Sequence, residues 1–163
     1  MTPDKDKKGS ADKGGDTAER ESEVFEKSLR DFAMPESIEP AILDALEEII
    51  SRYKSYIEND ESEQIRRAFV FAYKAHGSQL RRTGEPYIIH PLATTEILTE
   101  LEVDTETLIA SMLHDTVEDT AVSLALVEEL FGSEVVQLVD GVTKLSKISY
   151  SSKEEVQAEN MRK

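Results

Sequence analysis

The residues of this chain best suited to chemistry are a histidine and three carboxylates in the run His114-Asp115-Thr116-Val117-Glu118-Asp119. On a helix turning ~100° per residue, His114, Glu118, Asp115 and Asp119 fall at about 0°, 40°, 100° and 140°. Ile109, Met112, Leu113, Thr116 and Val117 occupy the opposite arc. One face is then core, and the other carries an imidazole and three carboxylates. Carboxylates this close repel one another unless a cation or protons offset them. Adjacent His and Asp side chains can offer nitrogen and oxygen to a single divalent ion. A solvated acidic helix face has the same composition, so the run alone does not separate the two readings. His90, placed just before Pro91 at a helix start, favours the metal site. The third histidine of the chain, His76, lies on an apolar helix face and is expected to be a hydrogen-bonded core residue, not a ligand.

A second concentration of function is Arg81-Arg82-Thr83-Gly84-Glu85-Pro86-Tyr87, two neighbouring guanidiniums on a Gly/Pro loop. Arginine forks bind phosphate oxygens bidentately and stack on flat bases. An ordinary surface loop pairing its arginines with nearby acids would look similar. The whole chain is strongly acidic, with 34 acidic against 19 basic residues and a formal net charge of −15. That charge repels duplex nucleic acid but leaves room for a small anionic substrate at a locally basic loop. The absence of cysteine excludes a disulfide framework, thiolate metal ligation and a cysteine nucleophile. No apolar run approaches the ~20 residues of a membrane span, and the polar N-terminus lacks a signal-peptide core. A cytoplasmic location is expected, with no membrane partner.

The elements that must position these residues read as helices. Residues 1–28 are polar, and a disordered tail is expected there. Ile42, Leu43, Leu46, Ile49, Ile50, Tyr53 and Ile57 recur at three and four and mark a long amphipathic helix. Asp60, with Glu63 three residues on, is expected to cap the next helix, whose face holds Ile65, Ala68, Phe69, Ala72, Tyr73 and His76. Gly77 ends it. Residues 78–90 are expected to be a loop with a brief extended stretch at Tyr87-Ile88-Ile89. Pro91 opens a helix running to about Glu102. Asp104 caps another reaching Glu118 or so, and Ser123 caps a short one ending at Phe131-Gly132. A helix from Ser133 runs towards Asp140-Gly141, and a last one begins near Ser152 and is still in progress at Lys163. The expected class is all-α.

Four ordered motifs carry a family resemblance. They are Ala75-His76-Gly77-Ser78-Gln79, the stretch Arg81 to Leu92, His114 to Thr120, and Leu138-Val139-Asp140-Gly141-Val142-Thr143-Lys144-Leu145. Together they resemble the hydrolase domain of the RelA/SpoT alarmone enzymes over roughly Ile38 to Lys163. The resemblance implies an HD-domain-like helical bundle, with a tail over 1–28 and a partial HD hydrolase domain over 29–163. It implies removal of the 3′-pyrophosphate from the guanosine tetra- and pentaphosphates ppGpp and pppGpp, usually with Mn²⁺. By motif match His90, His114 and Asp115 take the metal-ligand positions, and Glu118 and Asp119 those associated with activating the attacking water. Arg81 matches a nucleotide-contacting residue, with Arg82 and Thr83 beside it. An ion so held lowers the pKa of bound water. The family's fourth ligand is an aspartate in a later helix that this sequence does not reach, so the expected bundle is incomplete at its C-terminal end. Slow hydrolysis by the chain alone is expected. The alternative is a catalytically inactive piece that binds metal, nucleotide or protein.

Overall fold

Apolar residues at three- and four-residue spacing form helices throughout the computed structural model, which describes residues 13–145. The elements are α1 (Lys13–Leu29), α2 (Pro40–Tyr56), α3 (Ser62–His76), α4 (Ile89–Glu100), α5 (Thr105–Asp119) and α6 (Leu124–Phe131). Helical residues 133–145 follow. Among the described residues there is no strand, only an isolated antiparallel bridge between Leu80 and Pro86. The all-α expectation holds. The helix expected from near Ser152 lies outside the described residues.

The chain divides into two compact units, Met1–Asp31 and Phe32–Lys163. Of the structureless tail expected over 1–28, residues 1–12 lie outside the described residues, and the rest belongs to α1. The large apolar residues of α1, Val24, Phe25 and Leu29, are confined to its second half. Ala18, Glu19, Arg20, Glu21, Glu26 and Lys27 are strong helix formers. Asp16 and Arg20 add an i,i+4 ion pair at 2.9 Å.

In the second unit α3 lies at the centre. Ile65, Ala68, Phe69, Val70, Phe71 and Ala72 are all buried, so α3 is covered on nearly every side and not along a single stripe. It packs against α2 and most extensively against α5, while α4 packs on α2 and α5. Ile42, Leu46, Ile49 and Ile50 of α2 and Leu108, Ile109, Met112 and Leu113 of α5 complete this core. Phe131 at the end of α6 meets Phe71 edge-on, with ring centres 5.4 Å apart. The hydroxyl of Tyr53 on α2 reaches Thr105 Oγ1 at 2.7 Å, pinning α2 to the first residue of α5.

Helix ends follow side-chain chemistry, with three corrections. Asp104 and Ser123 cap as expected: their oxygens accept from Thr107 N at 3.0 Å and Leu126 N at 3.2 Å. Asp60 does not cap α3. Glu61 takes the N-cap position without a side-chain bond, and Asp60 Oδ1 instead accepts from Ser62 N at 2.9 Å. Tyr53 accounts for the shift, because its hydroxyl accepts the Glu61 N–H at 3.2 Å and holds the turn. Helix α4 stops at Glu100, short of Glu102, since the N–H groups of Leu101 and Glu102 turn back to the carbonyls of Leu98 and Thr99. The helix near Gly141 continues to residue 145, where burial of Val135 and Val139 outweighs the ~1 kcal/mol glycine penalty.

Glu102 closes α4 with φ of 54°, the left-handed conformation that glycine adopts without a Cβ clash. Glu102→Gly is therefore expected to stabilise the protein by roughly 1 kcal/mol. Urea unfolding would register it as a higher midpoint with unchanged slope; a lower midpoint would contradict the strain.

Candidate metal centre

Two elements deliver the candidate ligands. Burial of Leu108, Met112 and Leu113 orients α5, and this turns His114 and Asp115 towards the start of α4. His90 stands in the first turn of α4. The two helices are joined by a buried hydroxyl pair, Thr95 Oγ1 and Ser111 Oγ, 3.0 Å apart. Ser111 also sets the histidine: its backbone carbonyl accepts from His114 Nδ1, which leaves Nε2 facing the cluster.

The atoms converge on one carboxylate oxygen. His114 Nε2 lies 3.1 Å and His90 Nε2 3.3 Å from Asp115 Oδ2. Among the described residues, His90, His114 and Asp115 form the group able to share a metal ion, with ligand atoms all within 4.8 Å of one another. The side chains of His114 and Asp115 are only 15% and 11% exposed, whereas His90 is 35% exposed. The cluster is closed on the α5 side and more open on the α4 side.

The charge states suit a cation. Burial works against the Asp115 carboxylate, but His114, Tyr87 and His90 outweigh it and hold its pKa below the usual value. Burial likewise opposes a charged His114, yet its bonds to Asp115 and to the Ser111 carbonyl prevail and raise it. His90 is lowered, chiefly by burial, with the Arg81 charge adding to the effect and Asp115 opposing it. A divalent ion could take the place of a proton shared among these groups. Two imidazole nitrogens and a carboxylate oxygen are a fitting donor set for such an ion.

The remaining expected residues surround this group unequally. Glu118 and Asp119, in the last turn of α5, are exposed, unlike the buried Asp115. Val117, expected in the core, is only half-buried. The four polar groups therefore do not form one even face: two sit inside and two at the rim. Arg81 is exposed on the neighbouring loop, near enough for its charge to act on His90. That loop is tight, with Arg81 N bonded to Glu85 O and Gly84 N to Arg81 O, both at 2.8 Å. Arg82 and Thr83 are exposed on the same turn, and no bond joins them to the cluster.

Sequence reasoning missed two residues that build the site. Tyr87 was expected in a short extended stretch, but the chain turns there, with Tyr87 N bonded to Gln79 O and His90 N to Tyr87 O. The turn carries the Tyr87 hydroxyl to 3.1 Å from Asp115 Oδ2 and 2.9 Å from Asp119 Oδ2. Burial, together with both carboxylates, raises the Tyr87 pKa, so the hydroxyl keeps its proton and donates. Gln79 is the other. Its Nε2 donates to the Asp119 carbonyl at 2.7 Å, which turns Oε1 to His76 Nδ1 at 3.1 Å. His76 Nδ1 must then carry the proton. His76 is buried, burial lowers its pKa, and its ring stacks 4.5 Å from Tyr87. It lies outside the ligand group, in accord with the core role expected of it. Its Nε2 has no hydrogen-bond partner among the described residues. No periodicity signals a tyrosine in a turn, so only its neighbours in space reveal this role.

Residues 68–163 match the family model described as an HD domain. The chain is 48% identical over 125 residues to the guanosine-3′,5′-bis(diphosphate) 3′-pyrophosphohydrolase of Aquifex aeolicus, covering 77% of this chain and 17% of that one. It is 46% identical over 110 residues to the bifunctional (p)ppGpp synthase/hydrolase SpoT of Escherichia coli, covering 68% and 16%. A GTP pyrophosphokinase of Myxococcus xanthus is 54% identical over 102 residues, covering 61% and 14%. The chain thus spans about a sixth of the length of these relatives.

Proposed function

This chain belongs to the HD-domain family, with relatives of RelA/SpoT type, and we propose that its His-Asp centre hydrolyses the 3′-pyrophosphate of ppGpp and pppGpp with Mn²⁺ as the ion. The observation that carries this reading is the convergence of His90, His114 and Asp115 on one point beside a basic loop. When bound, the ion supplies positive charge against the negative charge that builds on the phosphoryl oxygens. His90, His114 and Asp115 hold it. Glu118, exposed at the rim and close enough for its charge to act on His114, takes a proton from the attacking water. Asp119, held by Tyr87, orients that water. The water oxygen bonds to the phosphorus next to the ribose 3′ oxygen, and the bond between them breaks. The 3′ oxygen takes a proton from solvent as it leaves, Glu118 returns its own to solvent, and pyrophosphate is released. Arg81 holds a phosphate at the open side of the cluster, and Arg82 and Thr83 extend that contact.

Charge supports this placement of the substrate. The concavity of about 580 Å³ beside the turns after α2 and α4 is lined by Glu58, Glu61, Glu102, Asp104 and Glu106, which would repel a polyphosphate. Among the described residues no helix is long and apolar enough to cross a membrane, and a cytoplasmic setting goes with a nucleotide substrate.

Incubated with ppGpp and Mn²⁺, the chain is expected to release pyrophosphate slowly. Glu118→Gln should lower turnover about 10²–10⁴-fold, the range for loss of a proton-transfer group, while Mn²⁺ affinity changes little. A chain that binds Mn²⁺ yet releases no pyrophosphate would overturn the reading, and equal turnover in Glu118→Gln would remove Glu118 from its role.

A further inference from the structure

The Tyr87 hydroxyl stands between two carboxylates that have different duties in the proposed reaction. One is the ligand Asp115 and the other is Asp119, which coordinates nothing in the arrangement above. The two residues are one helical turn apart on α5, where like charges repel. Asp115 Oδ2 is also the atom that both imidazoles face, so any rotation of this carboxylate dismantles the ligand set. Tyr87 itself is not free to move. Its ring stacks on buried His76 and meets His90 edge-on at 6.0 Å, and its backbone N–H is tied to Gln79 O at 3.0 Å. Gln79 in turn holds the Asp119 carbonyl. The loop therefore grips the last turn of α5 twice, once through the backbone of Asp119 and once through its side chain.

We infer that Tyr87 is a positioning residue: its hydroxyl bridges Asp115 and Asp119, holding Oδ2 of the ligand towards both histidines and keeping the second carboxylate beside it. The inference rests on the metal-centre reading of His90, His114 and Asp115. A single O–H cannot donate fully to two oxygens at once. When Asp115 offers one lone pair of Oδ2 to an ion, the other can still accept from Tyr87, so the shared hydrogen bond keeps both carboxylates in place. Partners of this kind behind a ligand change metal affinity or activity by about 10–100-fold when removed.

The test uses the full chain and Mn²⁺ alone, by calorimetric titration, so that no substrate or turnover enters. Tyr87→Phe keeps the ring against His76 and His90, and its thermal midpoint should stay near that of the parent. Its Mn²⁺ affinity should fall about 10-fold or more. Made in an Asp119→Ala background, the same change should have a clearly smaller effect, because the second anchor of the bridge is already gone. A purely structural tyrosine would give the same factor in both backgrounds, and that result overturns the inference, as does unchanged binding in Tyr87→Phe. A parent chain that binds no Mn²⁺ would instead overturn the metal-centre reading. Should Tyr87→Phe fail to fold, Asp119→Ala carries the test. It must weaken Mn²⁺ binding more than Glu118→Ala, its equally charged exposed neighbour; equal losses would reduce Asp119 to background charge and overturn the bridge.

Discussion

Replacing His114 by alanine is expected to lower Mn²⁺ affinity at least ~100-fold, beyond what loss of an outer partner costs. The substitution removes a coordinating nitrogen that the Ser111 carbonyl aims at the cluster. It also leaves Asp115 without its nearer imidazole. The same site predicts a direction with pH. His114 favours its protonated form, since hydrogen bonds to Asp115 and Ser111 overcome the opposing effect of burial. Nε2 must give up that proton to bind a metal, so affinity should rise as pH increases through the raised His114 pKa and level off above it. His90 is shifted the other way, chiefly by burial, so it gives up its proton at lower pH than His114 does. Titrations at a series of pH values would show the slope in the parent chain. Unchanged Mn²⁺ binding in both His114→Ala and His90→Ala would show that the ion, if bound, sits elsewhere.

Phe69→Ala is expected to destabilise the protein by about 3–5 kcal/mol, the range for deleting a buried aromatic side chain. Phe69 is fully buried on the central helix α3, with the Tyr73 ring 5.9 Å away. Domains of this size are stable by only about 5–15 kcal/mol, so this one truncation removes a large share of the total. Urea unfolding followed by circular dichroism measures it. A loss under ~1 kcal/mol would mean that the surroundings collapse onto the vacancy, which the dense packing of α3 between α2 and α5 argues against. Because α5 packs on α3 and carries two of the three proposed ligands, weaker Mn²⁺ binding should accompany the instability.

The helices were legible because their signals are local. Asp104 and Ser123 announce helix starts through side chains that reach backbone N–H groups three residues away. Gly77, with φ of 53°, marks the end of α3 for an equally local reason. Signals that depend on a distant residue were misread. Asp60 loses the α3 cap because Tyr53, from the preceding helix, holds the turn. α1 escaped notice for a different reason: its few large apolar residues, Val24, Phe25 and Leu29, come late in a stretch that is otherwise polar.

The same division runs through the site. The types and order of residues by themselves determined that His114, Asp115, Glu118 and Asp119 share one helix, that His90 opens another, and that a basic loop precedes it. Helical geometry places neighbours on α5 within a turn of one another whatever lies around them. Only the tertiary structure decided that His90, 25 residues from Asp115 along the chain, brings its nitrogen to 3.3 Å from that carboxylate. It alone separated the buried Asp115 from the exposed Glu118 and Asp119, because burial depends on which helix packs against α5 at each position. It also brought Tyr87 between two aspartates 28 and 32 residues further on. A hydroxyl in a turn has no period to betray it, and its partners are chosen by the docking of the loop, not by spacing along the chain.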